Sequence, residues 1–143
     1  MKYLLDTCVI SELIKKTPDP HVVGFVDSLE PDDVFLSVIT VGEIVKGIEK
    51  LSDSKRKREL NTWLQEDLLI RFDDKVFPLD TEVLIEWGKL TAHTETTGRS
   101  IPAIDSLIAA TVLAYDLTLV TRNVSDFEIA GIEIVNPWSK ESK

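Results

Sequence analysis

The sequence predicts an α/β fold with a central parallel sheet, in a single domain over residues 1–143. Short apolar runs typical of buried strands alternate with longer stretches whose apolar residues recur every three or four positions. The 143 residues contain no repeat, low-complexity segment or long linker. One domain with a substantial core is therefore expected.

The first half of the chain contains two strand-like runs and four helical patterns. The apolar runs predict strands at residues 2–5 and 34–38. Apolar stripes predict helices at residues 9–16, 22–29, 41–51 and 54–68. The "TPDP" sequence separates the first two helices, and Asp53 or Ser54 is expected to cap the fourth.

The second half continues the alternation. Strands are predicted at residues 75–80, 117–121 and 132–135, and helices at residues 80–90 and 102–114. Pro78 places the end of its strand at a sheet edge or in a loop, because proline donates no backbone hydrogen bond. Asp80 or Thr81 is expected to cap the helix that follows. Residues 122–127, "RNVSDF", are predicted to form a loop.

Charge and composition limit the classes of function. The formal net charge is −9, from 25 acidic and 16 basic residues, which argues against nucleic-acid binding through bulk charge. A cluster of acids that holds a divalent cation would still allow contact with phosphate. No apolar stretch is long enough to span a membrane, and neither a signal peptide nor an internal disulfide is expected, so a cytoplasmic location is predicted.

Asp6 and Asp105 occupy positions where an ionised carboxylate is costly. Asp6 follows an apolar strand, where ligands gather at the carboxyl end of a parallel sheet, although a helix N-cap explains it equally well. Asp105 shares a helical stripe with Ile101, Ile108 and Val112. Pairing with an arginine or capping of a nearby loop remains an alternative, but a functional role is favoured.

Glu43 and Asp126 are weaker candidates when each is taken alone. Glu43 lies beside the apolar stripe of its helix, where a surface pair with Lys46 is the simpler interpretation. Asp126 lies in a segment rich in turn-forming residues. That segment also follows a predicted strand, so convergence of all four acids at one edge of the sheet is plausible.

Clustered carboxylates repel one another, and the simplest way to compensate their negative charge is to bind one or two hard divalent cations. Mg²⁺ or Mn²⁺ suits oxygen ligands that leave room for water and phosphate. His21 and His93 have no partner at zinc-ligand spacing, and Cys8 is interpreted as a small buried residue rather than a nucleophile. The chain contains no glycine-rich phosphate loop.

A family resemblance is visible in four segments, "LLDTCVISEL", "ITVGEIVKGI", "IPAIDSLIAATVLAYDLTLVTRNVSDF" and "GIEIVNPW". In this order and spacing they resemble the PIN-domain ribonucleases, and most closely the VapC toxins in the branch that contains FitB. The resemblance covers essentially the whole chain. Many relatives have Asn at the position of Cys8, a difference that removes no expected ligand.

The resemblance implies a single compact α/β/α domain. It also implies a Mg²⁺- or Mn²⁺-dependent endoribonuclease that leaves 5′-phosphate ends. The implied metal ligands are Asp6, Glu43, Asp105 and Asp126. The implied substrate-binding residues are Thr7, Lys46, Lys50, Arg99, Thr121, Arg122 and Asn123. The resemblance also implies a homodimer that is inhibited by a cognate VapB-type antitoxin, whose C-terminal segment covers the acidic pocket.

Alternatives follow from the same features. The main alternative is a catalytically silent PIN-like scaffold that binds RNA or protein, although such scaffolds typically lose acids that this chain keeps. A haloacid-dehalogenase-like phosphatase needs a second Asp where this chain has Cys8. A phospho-receiver domain needs an Asp at a third strand end and a Lys after a late strand, and neither is evident.

Transfer RNA or another structured RNA is the expected substrate, and ribosomal and messenger RNA are alternative substrates. The basic run "KRKR" at 55–58 is interpreted as a solvated helix face or helix start, with a substrate clamp as the alternative. Trp63 and Trp87 fall on amphipathic stripes and are predicted to lie in the core or a dimer interface, and Trp138 is left open.

Overall fold

A computed structural model describes residues 1–138 and contains a sheet of five parallel strands. The strands are β1 (Tyr3–Leu5), β2 (Val34–Ser37), β3 (Val76–Phe77), β4 (Thr118–Val120) and β5 (Glu133–Val135). Their order across the sheet is β3-β2-β1-β4-β5, with β1 at the centre. The predicted α/β class with a central parallel sheet is confirmed.

In the described part of the chain, eight helices connect and flank the strands. They are α1 (Thr7–Leu13), α2 (Pro20–Asp27), α3 (Val38–Glu49), α4 (Lys55–Trp63), α5 (Leu69–Arg71), α6 (Thr81–Thr96), α7 (Ala103–Tyr115) and α8 (Val124–Phe127). A π-helical turn, Leu64–Leu68, joins α4 to α5. Short 3-10 turns cover Pro31–Asp33 and Glu128–Ala130. None of the helices within residues 1–138 combines the length and the apolar character that crossing a membrane requires.

The predicted helix caps are settled by side-chain hydrogen bonds. Ser54 accepts from the backbone N–H of Lys57 at 3.1 Å, and Asp80 accepts from that of Val83 at 3.0 Å. Of the two candidates at each helix start, Ser54 and Asp80 are therefore the caps. Such a bond satisfies one of the donors that a helix leaves unpaired at its first turn.

Residues 122–127 do not form the predicted loop, because Val124–Phe127 is the short helix α8. The side chain of Phe127 is fully buried in the apolar cluster that contains Ile108 and Leu119. Burial of one large aromatic side chain stabilises a helix that its polar neighbours alone do not predict. Helix α1 is also shorter than predicted and ends at Leu13.

The π-helical turn after α4 is explained by the spacing of its buried residues. Leu60, Leu64, Leu68 and Phe72 are all buried and lie four positions apart. In a regular α-helix each such step rotates the side chain by about 40°, so the last residue would leave the apolar face. The wider π turn corrects this drift and keeps all four on the core.

Two apolar clusters lie on opposite sides of the sheet. Leu5 packs in the cluster formed with α1 to α5, whereas its neighbour Leu4 packs in the cluster formed with α6 and α7. This alternation is the two-residue period of a strand that is buried on both faces. Trp63 is partly buried against the first cluster, so of the two predicted positions, core or dimer interface, it contributes to the core. Trp138 is buried within the same cluster.

Candidate active site

Asp6 lies at the carboxyl end of the central strand, and its side chain is buried. Its Oδ1 accepts a hydrogen bond from the backbone N–H of Thr7 at 2.8 Å, which caps α1. Its Oδ2 accepts from the Thr121 hydroxyl at 2.8 Å, at the end of the neighbouring strand β4. Asp6 is therefore both the predicted helix cap and a carboxylate at the opening of the sheet.

The environment of Asp6 opposes its ionised form. Burial raises the pKa of this carboxyl, and the nearby charge of Glu43 raises it further. The hydrogen bonds from Thr121 and Thr7 lower it, but they do not offset the loss of hydration. A positive charge supplied from outside the chain would relieve this cost.

A chain of hydroxyl groups links Asp6's helix to Glu43 on α3. The Thr7 hydroxyl donates to Glu43 Oε1 at 2.5 Å, and its oxygen lies 3.0 Å from that of the fully buried Thr40. Thr7 has one hydroxyl proton and Glu43 takes it, so Thr40 donates to Thr7. The interpretation of Glu43 as half of a Glu–Lys surface pair is wrong, since Glu43 takes part in no ion pair within residues 1–138.

Asp105 and Asp126 approach from the other side of the opening. Asp105 is half-buried in the first turn of α7, and Asp126 is exposed in the first turn of α8. The pKa of Asp105 is raised to about 6, first by burial and then by the charges of Asp6, Asp126 and Glu43. The other three predicted carboxylates therefore lie within electrostatic reach of Asp105.

The four carboxylates lack protein counter-charges in the described part of the chain. None of the ion pairs within residues 1–138 includes Asp6, Glu43, Asp105 or Asp126. The same residues contain no group of three or more His, Cys, Asp or Glu side chains already arranged to hold a metal ion. The region thus has the all-oxygen, anionic character that suits a hard divalent cation, without a closed set of ligands.

The small polar residues around Asp6 form a second layer. The Thr121 hydroxyl donates to Asp6 and accepts from the backbone N–H of Asn123 at 3.0 Å. The Cys8 thiol lies 3.5 Å from the Thr121 hydroxyl and accepts from the backbone N–H of Arg122 at 3.5 Å. Burial raises the pKa of this half-buried thiol, so it stays protonated at neutral pH. A protonated thiol fits the prediction that Cys8 is not a nucleophile.

The predicted basic residues are divided among three places. Lys46 and Lys50 line an open groove of about 490 Å³ that also contains Glu43. The Arg122 guanidinium lies 5.2 Å from the centre of the Trp138 ring, a distance suited to a cation–π contact. Arg99 is exposed in the connection between α6 and α7.

Thr40 is the residue of this region that the sequence did not reveal. It is a buried polar residue of α3, three positions before Glu43, and its hydroxyl supports the one that holds Glu43. That spacing is the available signal, because residues three apart on a helix lie on the same face.

The constellation of strand-end and helix-start carboxylates can be compared with known proteins. The model of the PIN domain matches residues 3–131, which is most of the chain. The chain belongs to the PIN-domain family. This PIN domain is 38% identical to Toxin FitB of Neisseria gonorrhoeae over 135 residues, covering 94% of this chain and 97% of that protein.

Two further similarities agree with this assignment. The domain is 36% identical to VapC ribonuclease Y4jK of Sinorhizobium fredii, covering 94% of this chain and 96% of that protein. It also superposes on a chain of the crystal structure of FitAcB from Neisseria gonorrhoeae with a TM-score of 0.91. That chain is 38% identical, and the match covers 95% of this domain and 98% of the solved chain.

Proposed function

We propose that this PIN domain is an endoribonuclease that uses divalent metal ions to hydrolyse phosphodiester bonds in RNA. The observation that carries the proposal is the grouping of Asp6, Glu43 and Asp126 around the half-buried Asp105, whose pKa is raised first by its burial and then by their charges. Four acids that destabilise one another at the opening of a sheet are a costly arrangement for a purely structural role. The ribonuclease name of the Sinorhizobium relative supports the same activity.

Asp6, Glu43 and Asp105 are the proposed principal metal ligands, with Asp126 supporting the same ion or a second one. Mg²⁺ is the proposed metal and Mn²⁺ the substitute, because both prefer oxygen ligands. When bound, such an ion polarises phosphoryl oxygens and makes a water molecule a stronger nucleophile.

The residues of the chain itself provide orientation. The Thr7 amide and the Thr121 hydroxyl fix the two oxygens of Asp6 in place. The Thr7 hydroxyl, supported by Thr40, holds the Glu43 carboxylate towards the same opening. Preorganised ligands of this kind reduce the rearrangement that binding would otherwise require.

RNA binding is assigned to polar and basic side chains around the acids. The polar candidates are Thr7 and Asn123, whereas Thr121 is fully buried and acts by holding Asp6. The cationic candidates are Lys46, Lys50, Arg99 and Arg122. Lys46 and Lys50 are the strongest of these candidates, because they line the same groove as Glu43. The proposed substrate is tRNA or another structured RNA, and the proposed location is the cytoplasm.

Inhibition by a VapB-type antitoxin and assembly as a homodimer complete the proposal. The similarity to Toxin FitB and to a chain of the FitAcB structure supports such a partner. A basic residue of the antitoxin would meet a site that lacks cationic partners within residues 1–138. Coexpression followed by light scattering would give the stoichiometry of the complex and of the free toxin.

The deciding experiment is cleavage of total cellular RNA in Mg²⁺ or Mn²⁺, with the cut ends mapped by sequencing. Wild type is expected to produce discrete 5′-phosphate ends, and Asp105→Asn is expected to lower the rate at least a hundredfold. Asp116→Asn is the matched control, because it removes an exposed carboxylate at the other end of α7. RNA left intact by a folded wild type, but still bound, would favour the silent scaffold instead.

A further inference from the structure

The groove beside Glu43 contains two glycines that the fold itself does not require. Gly42 and Gly47 lie within α3 and line the groove together with Lys46 and Lys50. Neither glycine has a positive φ angle, and a Cβ atom added at either position would meet no other atom within 4 Å. Glycine is unfavourable inside a helix, and the helical Gly24 and Gly88 share these properties, so what distinguishes Gly42 and Gly47 is that both line the groove beside Glu43.

The other walls of the groove are apolar. Val38, Ile39 and Ile104 line it, and Val38 and Ile104 are exposed to 38% and 42% respectively. Its volume of about 490 Å³ lies within the range of pockets that hold small organic groups, roughly 300–1,000 Å³. The groove therefore offers a flat apolar surface bordered by two ammonium groups and one carboxylate.

We propose that this groove is a subsite for a nucleotide of single-stranded RNA next to the bond that is cut, which deepens the ribonuclease function proposed above. The base lies against the apolar walls and over the bare backbone of α3 at Gly42 and Gly47. The neighbouring phosphates contact Lys46 and Lys50, which provide local positive charge in a chain of net charge −9. Apolar contact with a base and ammonium contact with phosphate together characterise single-strand binding.

The glycine part of the proposal is tested by filling the groove. Gly47→Leu and the smaller Gly47→Ala are compared with Gly24→Leu in α2 and Gly88→Leu in α6. Both control glycines are helical, exposed and equally open to an added Cβ atom, but they do not line the groove. Thermal unfolding followed by circular dichroism checks that each variant folds.

Binding is measured by fluorescence anisotropy with a labelled single-stranded RNA decamer, in Mg²⁺ and in the Asp105→Asn background, so that the probe is not cut. Gly47→Leu is expected to weaken binding at least tenfold and Gly47→Ala by a smaller factor, whereas both control variants stay within twofold. Binding by Gly47→Leu within twofold of its parent would overturn the subsite, as would a parent that binds no RNA. Loss of antitoxin binding alone, with RNA binding unchanged, would also overturn it and assign the groove to a protein.

The lysine part is tested by the salt dependence of the same binding. Lys46→Gln and Lys50→Gln are each expected to reduce the slope of log affinity against log salt by roughly 0.7, the value for one phosphate contact on a single strand. Lys55→Gln is the control, since Lys55 does not line this groove. Unchanged slopes in both groove variants would contradict the assignment of phosphate to these lysines.

Cleavage assays separate failure of the subsite from failure of the proposed function. If wild type cuts RNA and Gly47→Leu cuts it equally well, the subsite is wrong and the function stands. If wild type cuts no RNA but only the groove variants lose binding, the ribonuclease function is wrong and the groove stands as an RNA-binding site without cleavage.

Discussion

Asp6 accepts hydrogen bonds with both of its carboxylate oxygens, and the two bonds serve different parts of the protein. The bond from the Thr7 amide ends the strand and starts α1, whereas the bond from Thr121 ties the ends of β1 and β4 together. A helix cap and a proposed metal ligand are therefore compatible in one residue. The position of the cap brings the carboxylate to the opening of the sheet.

Asp105 predicts how the stability of the metal-free protein depends on pH. Its pKa of about 6 lies above the value near 3.9 of an unfolded chain, so the folded protein binds the proton more tightly between these pH values. The free energy of unfolding contributed by this group therefore falls as the pH rises through that range. It stays low above pH 6, where the ionised carboxylates repel one another.

Replacement of Asp105 by asparagine removes the charge that lowers the free energy of unfolding above pH 6. In EDTA at pH 7, Asp105→Asn is expected to raise the free energy of unfolding by about 1–2 kcal/mol, a value reduced for partial screening by solvent. At pH 4 the two proteins are expected to be nearly equally stable. Urea unfolding at both pH values measures the difference, and Asp116→Asn should match wild type throughout. Destabilisation by Asp105→Asn at pH 7 would contradict the prediction.

At the level of single residues, the sequence predicted the acids but not their supporting contacts. A carboxylate after an apolar strand is conspicuous because its burial is costly, and Asp6 and Asp105 could be found in that way. Thr40 gives a much weaker signal, because a buried threonine can satisfy its hydroxyl locally within a helix. Its contact with Thr7 joins residues 33 positions apart, which no local pattern reveals.

Among the elements, helix α4 shows that the basic run at its start has a structural use. The Lys57 ammonium donates to the carbonyls of Glu49 and Leu51 at 3.3 and 3.1 Å, at the end of α3. The Arg56 guanidinium donates to the carbonyl of Ile14, just after α1, at 3.2 Å. These cations satisfy carbonyls that helices leave unpaired at their ends. The helix-start interpretation of "KRKR" is confirmed by the start of α4 at Lys55.

These contacts predict different effects for neighbouring lysines. Lys57→Met is expected to lower the free energy of unfolding by about 0.5–1.5 kcal/mol, because two carbonyls lose their donor. Lys55→Met should change it by less than about 0.5 kcal/mol, since Lys55 is 84% exposed and lies 3.9 Å from Glu59. Urea unfolding measures both values. Equal effects, or reduced RNA binding by Lys57→Met without loss of stability, would favour the substrate clamp.

Whether an element could be predicted depended on the length of its apolar pattern and on whether that pattern fitted one type of structure alone. The strands and the long helices were found because alternating apolar runs and stripes extend over many residues. The π-helical turn was not, because apolar residues four apart also fit a regular helix until several turns accumulate. Helix α8 was missed because it has four residues and depends on burial of Phe127.

For the whole molecule, the parallel sheet explains how distant residues meet. Pairing of β1 with β4 places Leu5 opposite Val120, so Asp6 and Thr121 follow adjacent strand ends although they are 115 positions apart. The same edge receives Glu43 from the helix after β2 and Asp126 from the helix after β4. The acids are therefore concentrated at one edge of a molecule that already has a net charge of −9.

This concentration predicts that divalent cations stabilise the whole domain. A ligand that binds the folded state at ten times its dissociation constant adds about 1.4 kcal/mol, which corresponds to a rise in Tm of roughly 4–6 °C for a chain of this length. Mn²⁺ or Mg²⁺ is expected to produce this rise in wild type and in Lys57→Met. Asp105→Asn should lose most of it, measured against its own metal-free Tm. NaCl at matched ionic strength separates binding from screening, and an equal rise in NaCl would show that no specific metal site forms.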